Sequence, residues 1–166
     1  MDPRARIDAF LADYAAAHAE VKPLFDNKEK GTSLAAFDAW REKLREIDVA
    51  HRNGEFYRQY ALSFGSSPEF SPDAVEIEKI EVYGNMARAR LARDSRAYGG
   101  PIIEMMLVHV GDDWRIDTID DYDEEPSSPL VDKDALEAWK AAADKTEPME
   151  AQHKEDMPDP AAVFSA

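Results

Sequence analysis

The chain has 166 residues, of which 44% are hydrophobic and 33% are charged, and it contains no cysteine. Such a composition is typical of one globular domain that buries its core without disulfides. The net charge of −15 is uneven: residues 1–110 hold 18 acids and 15 Lys plus Arg, whereas residues 111–166 hold 17 acids and 5 Lys plus Arg. An acidic surface repels nucleic acids and anionic lipids and attracts basic proteins, so we expect a basic protein partner, no nucleic acid and no membrane.

The sequence lacks the usual targeting and cofactor motifs. Its first residues, MDPRARIDAFLADY, have no signal-peptide core, and no stretch approaches the roughly 18 apolar residues of a membrane span, so we expect a cytoplasmic protein. GxGxxG, Walker A, GxSxG and HExxH are absent, and no cofactor is predicted. A calcium-loop count from Asp121 meets Pro126 where glycine is needed and Asp132 where glutamate is usual, so no metal site is predicted.

Two amphipathic helices are predicted at the amino-terminal end. Asp2 can cap the first helix, with Pro3 at its first position, and apolar residues follow at helical spacing as far as Phe25. The loop DNKEKG then separates it from a second helix, capped by Thr32 or Ser33 and followed by the helix-breaking RNG.

Two histidines, His18 and His51, lie on the apolar faces of these predicted helices. A histidine in such a position is more often a hydrogen-bonded core residue than a ligand. We therefore assign neither of them a function.

A period of two begins near Ala74 and predicts four consecutive antiparallel strands: VEIEKIEVY, MARARLAR, PIIEMMLVHV and WRIDTIDDY. A change of phase near Lys79 indicates a β-bulge, and Gly84-Asn85 and Gly111-Asp112-Asp113 predict short turns. The preceding segment, EFYRQYALSFGSSPEFSP, suits a helix or a strand, and its class stays open.

Helices followed by a strand meander predict an α+β domain over residues 1–125, in which a curved antiparallel sheet packs on the leading helices with a pocket between them. Residues 126–145 predict a further amphipathic helix docked on the domain, with Asp132 as its cap and Leu136, Trp139 and Ala142 on its apolar face. Residues 146–166 predict an acidic, flexible tail.

Two stretches, IEKIEVYGNMARARLAR and above all GGPIIEMMLVHVGDDWRIDTID, resemble the nuclear transport factor 2-like fold, and more narrowly its bacterial immunity-protein branch. The resemblance covers residues 5–123 and depends on the long strand, the Gly-Asp turn and WRID. It implies a cone-shaped domain in which Trp114 and Ile116 pack the sheet. It also implies a non-catalytic protein that binds and neutralises a cognate toxin used in competition between bacteria.

Acidic residues crowd both ends of the last predicted strand. Because Trp114 and Ile116 satisfy the core, we expect these acids to have no role in the fold and to be free for a partner. Toxins that act on nucleic acids commonly have a cationic active-site cleft, which an acidic surface can occupy, with Tyr122 or Tyr98 as a desolvated anchor. Solubility alone is the alternative explanation. The predicted toxin-binding residues are Asp112, Asp113, Asp120, Asp121, Tyr122, Asp123, Glu124 and Glu125.

A small-molecule isomerase or dehydratase that uses the cone pocket is the alternative function, because relatives of this fold include such enzymes. Its candidate residues are Arg88, Arg90, Glu104, His109 and Asp117. We expect Asp117 to share one face of its strand with Arg115 and Ile119. Charged residues that alternate with apolar ones, with Arg–Glu pairs across strands, are however typical of any half-exposed sheet. We favour that interpretation and assign no catalytic residue. A homodimer through the open sheet face is a further possibility.

Overall fold

The computed structural model describes residues 1–27, 32–54, 64–94, 99–124, 137 and 141. Two helices precede one four-stranded sheet, so the predicted α+β class is confirmed. All neighbouring strands are antiparallel and follow one another in chain order. The elements are α1 (Pro3–Asp26), α2 (Thr32–His51), β1 (Val75–Tyr83), β2 (Met86–Arg93), β3 (Ile102–Val110) and β4 (Asp113–Tyr122).

Several predicted segments lie outside the described residues. They include Tyr98, Glu125, residues 55–63, the tail 146–166 and all of the helix predicted within 126–145 except Glu137 and Ala141, which are helical. In the part of the chain that is described, no helix has both the length and the apolarity to cross a bilayer.

The start of α1 has the predicted cap. Asp2 accepts a hydrogen bond from the Ala5 amide at 2.8 Å, and Pro3 occupies the first turn, where its missing N–H has no intrahelical partner to lose. The helix then buries a continuous stripe of side chains against α2 and the sheet. That stripe comprises Ile7, Phe10, Leu11, Tyr14, Ala17, His18 and Val21.

The sheet follows the predicted strands and turns closely. Gly84 has a φ of 58°, as a two-residue turn requires, and the β1–β2 register shifts between Ile77 and Lys79, which confirms the predicted bulge. A second irregularity was not predicted: Leu107 pairs with Ile116 while Met106 pairs with Thr118, so one extra residue of β4 lies between the two pairs.

This second bulge, at Asp117, changes which β4 side chains face the helices. The helix-facing side of the sheet, called the inner face below, carries Ile116 and Ile119, whereas Arg115 pairs with Val108 on the opposite, outer face. The expectation that Asp117, Arg115 and Ile119 share one face is therefore wrong, because the extra residue shifts the alternation by one position.

The core lies between the helices and the inner face. Ile116 is fully buried and Trp114 packs against the core, as the resemblance implied. Phe10, Tyr14 and Phe70 form a cluster of rings whose centroids lie 5.2 to 5.9 Å apart. The sheet contributes fully buried side chains from its central strands, namely Ala87, Ala89, Leu91, Ile103, Met105 and Leu107.

Replacing Met105 by alanine should lower the free energy of unfolding by about 2–5 kcal/mol, because it leaves a cavity in the centre of the sheet. Urea unfolding followed by circular dichroism measures the effect. Val82→Ala is the control, since Val82 is 52% exposed at the sheet edge and its loss should change stability by less than about 0.5 kcal/mol. Equal effects of the two changes would contradict the placement of the core.

Candidate functional site

The acidic residues of β4 and its flanking turns fall into two groups. Asp112, Asp120, Asp123 and Glu124 are exposed, and within the described ranges none of their side chains forms an ion pair or a hydrogen bond. Asp113 and Asp121, in contrast, bind arginines of their own chain. The expectation that the whole cluster lacks a role in the fold is therefore wrong for two of its members.

Asp113 is held by Arg6, whose side chain is only 8% exposed. One guanidinium nitrogen of Arg6, Nη2, forms an ion pair with Asp113, while Nε donates to the Trp114 carbonyl at 2.8 Å and Nη1 to the Ala50 carbonyl at 3.1 Å. A buried guanidinium requires a counter-charge and acceptors for its donors. Asp113 thus joins the start of β4 to both helices.

Asp121 is held by Arg93, whose side chain is 2% exposed. Arg93 Nη2 lies 3.2 Å from Asp121 Oδ2, its Nε donates to the Gly100 carbonyl at 2.9 Å, and the Gly100 amide donates to the same Oδ2 at 2.8 Å. The chain at Gly99 and Gly100 therefore passes directly over the end of β4. A Cβ at Gly100 would overlap the Tyr122 carbonyl, which is why glycine is required there.

His51 is buried with both ring nitrogens engaged. Its Nδ1 lies 3.0 Å from Arg6 Nη1 and its Nε2 lies 2.6 Å from Asp13 Oδ2. Because a guanidinium only donates, Nδ1 is the acceptor and the proton is on Nε2, which donates to Asp13. Burial lowers the pKa of His51, with smaller lowering by Arg6 and Arg115, against a raising effect of Asp13.

The Asp13–His51 pair resembles the orienting half of a catalytic dyad but differs from one in a decisive way. A catalytic histidine uses the nitrogen that its carboxylate leaves free, and in this structure that nitrogen faces a guanidinium. His18 is likewise a core residue, since its Nε2 donates to the Gly65 carbonyl at 2.8 Å and its ring stacks on Phe64. The core interpretation of both histidines is confirmed.

The candidates for the alternative enzyme site do not converge on one point. His109 packs edge-on against the Trp114 ring, and the predicted Arg–Glu pairs across strands are present as Arg88–Glu104 and Arg90–Glu78. Asp117 Oδ1 accepts a hydrogen bond from the side-chain amide of Asn53 at 2.9 Å. Within the described residues, no three acidic or histidine side chains are grouped so that they could hold a metal ion.

Tyr122, the predicted anchor, is half-buried at the carboxyl end of β4. Burial raises the pKa of its hydroxyl, and the negative charges of Asp120, Glu104 and Asp121 raise it further, while Arg88 opposes them. Tyr122 is therefore neutral at physiological pH. It offers a hydroxyl and a ring face beside exposed carboxylates, which are the features of an amphipathic anchor.

Sequence patterns did not predict that Arg6 and Arg93 pair with the acidic residues or that Asp13 pairs with His51. A signal for the arginines was present, because Arg6 is four residues before Phe10 on the buried stripe of α1. Arg93 similarly continues the inward alternation of Ala89 and Leu91. A charged residue in an inward phase requires a counter-charge.

Comparison of the chain with protein-family models, with curated proteins and with solved structures finds no match. The family and its immunity-protein branch thus depend on the resemblance of the residues quoted above. The function has to be argued from the geometry of the site.

Asp121→Ala should lower the free energy of unfolding by about 1–3 kcal/mol, because it leaves the buried Arg93 guanidinium short of an acceptor. The matched control is Asp123→Ala, which removes an exposed carboxylate two residues away and should change stability by less than about 0.5 kcal/mol. Thermal or urea unfolding distinguishes the two. Equal losses would show that Asp121 has no structural role.

Stability should depend on pH through His51. Its pKa in the folded protein is below the ordinary value of 6.5, so its contribution is fully present above about pH 6.5 and is lost as pH falls through the lowered pKa. Urea unfolding between pH 7 and 5 should therefore show a smaller loss of stability for His51→Gln than for the wild type. Val82→Ala, which changes an exposed side chain that does not titrate, should keep the wild-type slope.

Proposed function

We propose that the chain is an immunity protein that binds and neutralises a cognate bacterial toxin with a basic active-site cleft, without catalysis or a cofactor. The observation that carries the proposal is the group of exposed carboxylates around Tyr122, which have no ion-pair partner in the described ranges. We call Asp120, Tyr122, Asp123 and Glu124 the acidic end of β4. Residues 111–166, to which they belong, carry 17 acids against 5 Lys plus Arg.

The proposed surface is narrower than the one predicted from the sequence. Asp113 and Asp121 are already paired with Arg6 and Arg93, so they are excluded from it. Asp112 is at the other end of β4, and a strand rises about 3.3 Å per residue, which places it roughly 25 Å from Asp120. A single contact region therefore uses the acidic end, and Asp112 contributes at most to the long-range field.

The acidic end supports a mechanism of competitive occupation. A toxin that cleaves or modifies nucleic acids or nucleotides holds phosphates with cationic side chains. Carboxylates delivered into that cleft bind the same cations, accelerate association electrostatically and exclude the substrate. Because exposed charges add speed more than affinity, the half-buried ring of Tyr122 supplies the desolvated contact that a tight complex needs.

The polar network of the domain also favours binding over catalysis. The His51 ring has no nitrogen left for a substrate, and His18 is bonded within the core. The small-molecule enzyme would be favoured instead by an acid–base pair that opens on a cavity, and the described residues present no such pair.

Co-expression with the product of the neighbouring reading frame tests the proposal. We expect this protein to rescue cells from that product and to co-purify with it in a stoichiometric complex. If neither rescue nor co-purification occurs with any adjacent reading frame, the proposal is wrong and the pocket enzyme becomes the better hypothesis.

The triple variant Asp120→Asn, Asp123→Asn and Glu124→Gln should slow association with the toxin by about tenfold or more at low salt and flatten the salt dependence of the rate. Stopped-flow fluorescence or surface plasmon resonance measures both effects. The control variant, Asp8→Asn, Glu42→Gln and Asp73→Asn, removes the same charge from exposed positions elsewhere. If the two variants behave alike, only net charge matters and the acidic end is not the contact.

A further inference from the structure

The outer face of the sheet contains a buried carboxylate with incomplete pairing. Glu104 is on the central strand β3, and its side chain is only 4% exposed. Arg88 directs both its Nε, at 2.9 Å, and its Nη2 to the same oxygen, Oε1. The other oxygen, Oε2, is buried and has no hydrogen-bond partner among the residues that the structure describes. A buried charged oxygen without a partner is uncommon, because it loses hydration and gains nothing in return.

The charges around Glu104 make its incomplete pairing more costly. Asp120 is its direct cross-strand partner on β4, and like charges directly opposite each other destabilise a sheet. Arg90, the direct partner on β2, extends instead to Glu78 at 3.0 Å. Within this group, the carboxylates of Glu104 and Asp120 are balanced by one guanidinium, that of Arg88. The group therefore carries one negative charge that no positive charge in it neutralises.

Tyr122 completes the arrangement on the accessible side. Asp120 is directly opposite Glu104 on β4, and Tyr122 is two residues further along on the same face, opposite Ile102, so the three side chains are neighbours at the edge of the sheet. β4 is an edge strand, Asp120 is exposed and Tyr122 is half-buried. Glu104 is therefore next to exposed and half-buried groups at the sheet edge, from which a partner side chain can approach it.

We infer that Glu104, Asp120 and Tyr122 form a receptor for one lysine or arginine side chain of the partner protein. The inference rests on the proposed function and names the chemistry of its central contact. The incoming cation donates hydrogen bonds to Glu104 Oε2, to Asp120 and to the Tyr122 hydroxyl, and it supplies the missing positive charge. Lysine and arginine each carry several N–H donors on one charged group, which matches these three acceptors. With one arginine and only two carboxylates, the group is not suited to a divalent metal ion.

In a receptor of this kind, a carboxylate that binds the cation should lower the stability of the free protein. Asp120→Asn removes a like charge opposite Glu104, so it should raise the urea midpoint of the free protein while weakening its hold on a cation. A residue with a purely structural role would lower stability and binding together, or change neither. Asp112→Asn is the control, because it removes the same charge from an exposed position at the other end of β4.

The direct probe is the tripeptide acetyl-Gly-Lys-Gly-amide, with its arginine counterpart and a norleucine version that lacks the charge. We expect saturable shifts of the Tyr122 ring and Glu104 side-chain NMR signals with the two cationic peptides only. Glu104→Gln and Asp120→Asn should each weaken binding about tenfold or more, and Asp112→Asn less than about twofold. If Glu104→Gln fails to fold, the exposed Asp120→Asn carries the test. No saturable shift, or an equal response to norleucine, would overturn the inference.

The same variants separate this inference from the proposed function. If a toxin complex forms and Glu104→Gln and Asp120→Asn leave its affinity unchanged, the receptor is wrong while the immunity function stands. If the cationic peptides bind as expected but no adjacent reading frame yields a complex, the receptor stands and the immunity function is wrong.

Discussion

Two buried arginines and the carboxylates that neutralise them determine how β4 is placed in this domain. Arg6 extends from α1 to Asp113 at the start of the strand, and Arg93 extends from β2 to Asp121 near its end. Each guanidinium would be strongly unfavourable in the core without a counter-charge. The two pairs therefore attach β4 at both ends, which fixes the positions of its remaining acidic side chains.

This arrangement separates the carboxylates of one acidic stretch by their role. Asp113 and Asp121, although partly or largely exposed themselves, neutralise buried arginines and so are parts of the framework. The exposed carboxylates of the acidic end have no partner within the described residues. Glu104 is intermediate, because Arg88 satisfies one of its oxygens, while the other is buried and has no partner in the described part of the chain. Only carboxylates that the fold leaves without a partner can gain ion pairs or hydrogen bonds from another molecule.

Local patterns identified most of the fold. The Asp2 cap, the Gly84-Asn85 turn and the bulge before Lys79 depend on residues close together in the chain, and all three are confirmed. The bulge at Asp117 was missed, although Ile116 and Ile119 are three residues apart, the same change of phase that predicted the first bulge. The pairing of β4 with β3 shows it directly, since the partners of Leu107 and Met106 are separated by one extra residue of β4.

The sequence by itself determined the α+β class, the order of helices and strands, and the concentration of negative charge after residue 110, since all of these follow from period, turn chemistry and composition. Only the tertiary structure decided which acids are available, because the partners of Asp113 and Asp121 are 107 and 28 residues away in the chain. It also decided that both nitrogens of His51 are engaged. Ion pairs between distant residues depend on how the chain folds back on itself, and local patterns contain no record of that.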